Sequence, residues 1–217
     1  MHCRQKYIPS FVKRNRTRRN FELLTDKLSE FLLQTEDINE YLSHLNYKKI
    51  KLEIGFGDGS HLVQRALLEP TTMFIGCEVY LSGITNVLKN IKEYNINNIT
   101  LFNDDARILL DKMPDNILSI IYILFPDPWP KKKHHKRRLV NFDFINILRS
   151  KIINDDSSEI VIATDHQGYA SHIESVLKDK NIESTNKQPI DWIPTKYQIK
   201  NKAAASDFKF FLINGIN

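Results

Sequence analysis

Ile50-Lys51-Leu52-Glu53-Ile54-Gly55-Phe56-Gly57-Asp58-Gly59 is the stretch that decides the fold. An apolar strand candidate, Ile50–Ile54, runs into three glycines at alternate positions, and a helical pattern over His61–Leu68 follows. A strand that ends in a glycine loop and passes directly into a helix is the opening of a βαβ unit. The glycines allow the tight turn and let the backbone come close to a ligand. By itself such a loop serves a dinucleotide, a nucleoside or no ligand at all. The spacing narrows the choice, because Gly55, Gly57 and Gly59 read G-x-G-x-G whereas the dinucleotide fingerprint is G-x-G-x-x-G. Glu53, just before the loop, suits a cationic or hydrogen-bond-donating ligand better than a pyrophosphate.

Outward from this unit, short β-rich runs alternate with helical ones. The strand candidates are Ile50–Ile54, Met73–Val79, Ile99–Phe102, Ser119–Phe125, Glu159–Ala163 and Phe208–Ile213, with a weaker one at Ile182–Asn186. Helical spacing lies between them near His61–Leu68, Gly83–Tyr94, Asp105–Leu110, Asn141–Ile153 and Gly168–Lys180. Such alternation predicts an α/β chain with a doubly wound, mostly parallel sheet. Before it, Leu28, Phe31, Leu32, Ile38, Tyr41, Leu42 and Leu45 recur at helical spacing. The expected division is a basic N-terminal arm and helix over 1–45 and one domain over 46–217.

The chain has 217 residues, enough for one core that needs no staple. Its two cysteines, Cys3 and Cys77, exclude a disulfide framework and fit a reducing cytoplasm. Met1–Arg4 lead into charge without the apolar core of a signal peptide. The longest apolar run, Ile117–Phe125, falls far short of the ~20 residues of a spanning helix. The net charge of +5 comes from 31 Lys and Arg against 26 Asp and Glu. Eleven of those cations sit in two short runs: Lys13, Arg14, Arg16, Arg18 and Arg19, then Lys131, Lys132, Lys133, Lys136, Arg137 and Arg138. Without these eleven, 20 cations face 26 acids, a net of −6, so an acidic body carries two basic devices. Phosphate backbones reward that concentration, since each neutralised phosphate releases counterions.

Three carboxylates mark successive strand ends, where open α/β sheets bind ligands. Glu53 closes the first strand, and Glu78, near the end of the second, is placed to accept ribose hydroxyls. Asp105 follows the third and either holds an adenine amino group or caps the next helix. That layout matches the amine, ribose and adenine of S-adenosylmethionine. The fourth strand runs into Phe125-Pro126-Asp127-Pro128-Trp129-Pro130-Lys131. Its prolines deny helix and stiffen the backbone around Asp127, and Trp129 offers a flat surface for an unstacked base. His134 and His135 are adjacent, without the spacing of helix-borne metal ligands, and read as surface contacts; no metal site is expected.

FPDPWPKKKHHKRR, with EIGFGDG and IGCEV, strongly resembles the bacterial tRNA (guanine-N7-)-methyltransferase family; Ala163-Thr164-Asp165 and Thr195-Lys196-Tyr197 add to the match. The resemblance covers about residues 45 to 215. It implies a Rossmann-like class I methyltransferase fold with seven strands, the C-terminal one antiparallel. It also implies methyl transfer from S-adenosylmethionine to N7 of a guanosine in the tRNA variable loop. By motif, Glu53, Gly55, Gly57, Glu78, Asp105 and Asp127 match cofactor positions, with Asp127 also the catalytic carboxylate. Lys131, Asp165, Thr195, Lys196, Tyr197 and Gln198 match substrate positions, and Lys133, His134, His135, Lys136, Arg137 and Arg138 the RNA-contacting segment. Two positions depart from the pattern: Gln198 stands where glutamate is usual, and His166 where an aromatic residue is common.

Three rival readings remain. A class I methyltransferase acting on a small molecule or protein would have no use for the basic runs. A non-enzymatic RNA-binding protein on the same fold would not need Glu53, the glycine loop and Asp127. A nicotinamide dehydrogenase is opposed by the glycine spacing. The partner expected is tRNA, with no membrane; monomer and homodimer are left open.

Overall fold

A computed structural model describes residues 8–11, 28–200 and 208–215. Six strands form one sheet: β1 (Lys49–Ile54), β2 (Thr72–Cys77), β3 (Ile99–Phe102), β4 (Ile120–Leu124), β5 (Glu159–Thr164) and β6 (Lys209–Asn214). Their order is β3-β2-β1-β4-β5-β6, all parallel except β6, which runs antiparallel to β5. The inner strands are buried almost throughout, as expected of parallel strands covered on both faces. The chain reverses its winding between β1 and β4, which opens a crevice beyond their carboxyl ends.

Helices cover the two faces unequally. On one face α1 (Ile38–Ser43), α4 (Ala106–Lys112), α5 (Phe142–Lys151) and α6 (Gln167–Asp179) share a core with Ile50, Leu52 and Ile54 of β1. Ile38 and Leu42 of α1 lie in that core, so this helix packs with the sheet. On the other face α2 (Ser60–Leu68) and α3 (Leu81–Tyr94) pack over β2 and β3. The β4–β6 half of that face, with Tyr122, Leu124, Val161 and Phe210, is covered by the segment carrying Trp192. A short helix, α7 (Lys196–Lys200), ends that segment.

Three expectations differ from the structure. The seventh strand, Ile182–Asn186, is only an isolated bridge between Thr185 and Leu212 on the outer edge of β6. Residues 183–188 are exposed, so no buried face extends the pairing. β2 stops at Cys77, one residue before Glu78, whose carboxylate takes the next two amides from the ladder. β4 stops at Leu124, because Phe125 adopts a left-handed backbone, φ 54°. The basic run Lys13–Arg19 lies outside the described residues.

The glycine loop is pressed against the start of α3. A Cβ on Gly83 would lie 2.0 Å from the carbonyl oxygen of Gly57. Gly83→Ala is therefore expected to lose about 1–3 kcal/mol of stability from overpacking against an unyielding backbone. Urea denaturation of the two proteins measures this; equal midpoints would contradict the close approach.

Candidate active site

Two adjoining cavities occupy the crevice and share Gly55, Gly57 and Phe125. The first, of about 240 Å³, is lined by Glu78, Asp104, Asp105 and Asp127. Among the described residues no lysine, arginine or histidine lines it. Four acids with no base make a poor phosphate site and a good one for a cation rich in hydrogen-bond donors. Gly55 and Gly57 have φ of 71° and 60°, with nothing within 4 Å of an added Cβ, so side chains there would be strained and would enter ligand space.

Glu78 is buried, and its carboxylate accepts from Gly57 N at 2.8 Å, Val79 N at 2.7 Å and Tyr80 N at 2.9 Å. Desolvation raises its pKa, opposed by these three bonds; the nearby negative charge of Asp127 raises it further. Asp105 takes one of the two roles that the sequence left open to it: its Oδ1 caps α4 by accepting from Arg107 N at 3.0 Å. The Arg107 guanidinium also pairs with both Asp105 oxygens. Asp105 lines the cavity while carrying those bonds. Asp127 stands exposed at the mouth, between Phe125 and Trp129, whose φ values are 54° and 45°.

The second cavity is lined by Glu53, His61, Thr195, Lys196 and Tyr197 together with the glycine loop. Glu53 is 3% exposed, and its Oε2 accepts from His61 Nδ1 at 2.8 Å. Tyr197 donates its hydroxyl to Asp165 Oδ2 at 2.9 Å and leans on the Phe125 ring at 5.3 Å. Lys196 pairs with Asp58 at 3.1 Å across the glycine loop. Bonds from Ser60 and Lys196 outweigh desolvation and hold the Asp58 pKa below the ordinary carboxylate range. Thr195 and Gln198 form a capping box: Gln198 Oε1 accepts from Thr195 N at 2.9 Å, and Thr195 Oγ1 accepts from Gln198 N at 3.3 Å. An amide oxygen suffices for that role. His166 likewise caps α6, its Nδ1 accepting from Tyr169 N at 3.1 Å.

The basic segment is a short 3-10 turn, Lys132–Arg137, which the sequence reading lacked. Lys131, Lys132, Lys133 and Lys136 are exposed. His134 is held below the ordinary histidine pKa, first by desolvation and then by Lys133 and Arg137. Arg137 lies over the Trp129 ring at 5.1 Å. Arg138 differs from its neighbours. It is 5% exposed and donates to Pro128 O at 3.0 Å and Gly168 O at 3.2 Å, over the ring of Tyr169. Its buried guanidinium ties the proline motif to α6. Ser10 and Phe11 also line the first cavity, with Ser10 O accepting from Trp129 Nε1 at 3.0 Å, a contact between segments that no local sequence pattern announces.

A family described as "Putative methyltransferase" matches residues 47–210. A tRNA (guanine-N(7)-)-methyltransferase of Wolbachia pipientis is 39% identical over 98% of this chain and 94% of that protein. The chain belongs to the tRNA (guanine-N(7)-)-methyltransferase family. A bifunctional methyltransferase of Rickettsia conorii is 38% identical over 89% of this chain, which spans only 37% of that longer protein. Among solved structures, an antibiotic-related methyltransferase has a TM-score of 0.58 over 85% of this chain and 95% of that one, at 16% identity. A Streptococcus mutans methyltransferase in complex with SAH has a TM-score of 0.50 over 94% of this chain and 99% of that one, at 14% identity. These two share the fold, which is that of class I methyltransferases dependent on S-adenosylmethionine. The cavities fit this cofactor: a nucleoside whose sulfonium and ammonium outweigh its one carboxylate, and whose ribose hydroxyls donate, meets carboxylates and open glycine backbone.

The raised pKa of Glu78 sets a pH dependence. A raised value means that the carboxylate takes up its proton at a higher pH than an ordinary glutamate and loses its acceptor character there. Affinity for S-adenosylmethionine is therefore expected to hold at neutral pH and fall as the pH drops through the acid range. Glu78→Ala should bind more weakly by roughly 1.5–3 kcal/mol and lack that component of the fall. Calorimetric titration at several pH values reads both, and coincident curves for the two proteins would remove Glu78 from the site.

Proposed function

We propose that the protein works in the cytoplasm and transfers the methyl group of S-adenosylmethionine to N7 of a guanosine in the tRNA variable loop. One observation supports this reading above the others: within Phe125–Arg138 an exposed carboxylate at the mouth of a cavity whose charged residues are all acidic is followed by four exposed lysines. A methyltransferase for small molecules or proteins gains nothing from that ridge, whereas RNA phosphates do.

When bound, S-adenosylmethionine supplies an electrophilic methyl on a sulfonium. Glu53 accepts from its ammonium group, Glu78 from its ribose, and the Asp104–Asp105 pair faces its adenine. Asp127 accepts from N1 and N2 of the guanine, which aligns N7 with the methyl for in-line attack. N7 already has an available lone pair, so no side chain has to remove a proton. The positive charge that arrives on the base is balanced by Asp127 in a partly dry site. Lys131 steers a phosphate or the O6 acceptor, and Asp165 with Thr195–Gln198 lines the guanine side. The N7 and O6 edge faces the deep RNA major groove, so the target base is presented unstacked.

Nucleoside mass spectrometry of tRNA after incubation with the protein and S-adenosylmethionine tests the proposal. The expected product is 7-methylguanosine, mapped by fragment analysis to the variable loop. No methylated product, together with no calorimetric binding of the cofactor, would favour an RNA-binding protein instead. Asp127→Ala is expected to cut turnover far more than cofactor affinity; near-normal turnover would remove that role.

The burial of Arg138 separates two effects that the sequence alone merges. Neutralising Lys132, Lys133 and Lys136 should raise the Michaelis constant for tRNA at unchanged stability. It should also flatten the log–log salt dependence of binding by about 0.7–0.9 per lost phosphate contact. Arg138→Ala should instead lower the unfolding free energy, by about 1.5–3 kcal/mol for each lost charge-assisted bond. Salt titrations and urea denaturation of both variants check this.

A further inference from the structure

A polar seam runs beneath α2, on the sheet face where Lys51, Glu53 and Tyr122 point. His61 and Arg65, four residues apart on one side of the helix, both turn into it. Arg65 pairs with Asp191 at 2.6 Å and with Glu69 at 3.3 Å. Trp192, next to Asp191, packs on His61 with ring centroids 5.9 Å apart, and Tyr122 meets the same imidazole edge-on at 5.0 Å. His61 is 2% exposed, so its ring is confined on both sides.

The two nitrogens of His61 differ. Nδ1 lies 2.8 Å from Glu53 Oε2, and a carboxylate only accepts, so the imidazole donates from Nδ1. Nε2 is buried and has no partner among the described residues. The helix itself gives no reason for a histidine here; the buried Glu53 carboxylate, which would otherwise lack this donor, does. The neighbouring inward positions of α2 are Leu62, Val63 and Ala66, and an apolar side chain at 61 would bury no orphaned nitrogen. A buried ion or hydrogen-bond pair is also a poor source of net stability compared with an apolar one. The arrangement does accomplish one thing. It fixes the direction of a carboxylate that lines the second cavity beside Thr195–Tyr197.

We propose that His61 is a positioning residue for Glu53: its Nδ1–H holds the carboxylate in the orientation that receives the ammonium group of the cofactor. The inference rests on the reading of Glu53 given under Proposed function. Without this bond, Glu53 on a central strand has no partner among the described residues holding it toward the cavity, and each binding event must order it afresh.

The test exploits the difference between the nitrogens. Asparagine carries its amide nitrogen near the Nδ1 position and glutamine near the Nε2 position. His61→Asn is expected to bind S-adenosylmethionine within about threefold of wild type, and His61→Gln and His61→Leu at least about tenfold more weakly, the loss of one charge-assisted bond. In a Glu53→Gln background, His61→Leu should add less than about twofold, because His61 acts through that carboxylate. Affinities are read by calorimetry on the full chain, with thermal denaturation run beside them. If His61→Leu does not fold, the comparison of asparagine with glutamine still decides. Equal affinity of those two variants, or a full additional loss in the Glu53→Gln background, would overturn the inference while leaving the methyltransferase reading intact. Failure of the wild-type protein to bind S-adenosylmethionine would overturn that reading and the inference with it.

Discussion

The Glu78 carboxylate joins the fold to the site. Its two oxygens accept three backbone amides, one from the glycine loop after β1 and two from the turn after β2. Two strand ends are thereby tied together at the floor of the crevice, and α3 starts where its Gly83 can touch Gly57. A carboxylate offers about four lone-pair sites, so three filled sites leave one for a ligand hydroxyl. The carboxylate is thus held rigid by the same bonds that shape the loop. Its burial is tolerable because those amides compensate it, and its raised pKa records that the compensation is incomplete.

A second constraint is the separation of charge within fourteen residues of chain. Phe125–Arg138 begins at an acidic cavity and ends on a lysine ridge. The two would pull toward each other if the backbone between them were free. Prolines 126, 128 and 130 prevent this by restricting the backbone. Arg138 completes the arrangement from within, since its bonds to Pro128 O and Gly168 O fix the far end of the motif on α6. One cation of the run is therefore structural, while Lys131, Lys132, Lys133 and Lys136 are exposed.

The sequence made the sheet legible because β-rich runs and helical periods alternate, and because strands buried on both faces read as continuous apolar stretches. The ends of β2 and β4 fell short of the expected ranges where a side chain or a left-handed residue interrupts the ladder, at Glu78 and Phe125, and the other bounds moved by no more than one residue. The candidate strand Ile182–Asn186 had β propensity but no buried face to pair over. At the crevice, residues that the motifs singled out line the two cavities, including the glycine loop, Asp127 and Thr195–Tyr197. Pairings between distant segments were not. Nothing local says that Arg65 meets Asp191, that Trp129 donates to Ser10, or that Arg138 turns inward from a run of surface lysines. His61 escaped for a related reason: one histidine in an apolar helix has no period or motif, and its significance lies in which strand it faces.

The strained backbone around Asp127 follows from these pairings. Phe125 and Trp129 both have positive φ, a conformation costing roughly 1–2 kcal/mol for a residue with a side chain. Each strained residue is anchored by a bond to another part of the chain: Phe125 N to Ala163 O at 2.8 Å, and Trp129 Nε1 to Ser10 O at 3.0 Å. The first anchor belongs to β5, deep in the sheet, and the second to the segment that also lines the cofactor cavity. Asp127 is thus suspended between a fixed point and the wall of the cofactor site. The alignment of base and methyl proposed for Asp127 draws on such suspension, because its position is set by the sheet on one side and by the cavity wall on the other.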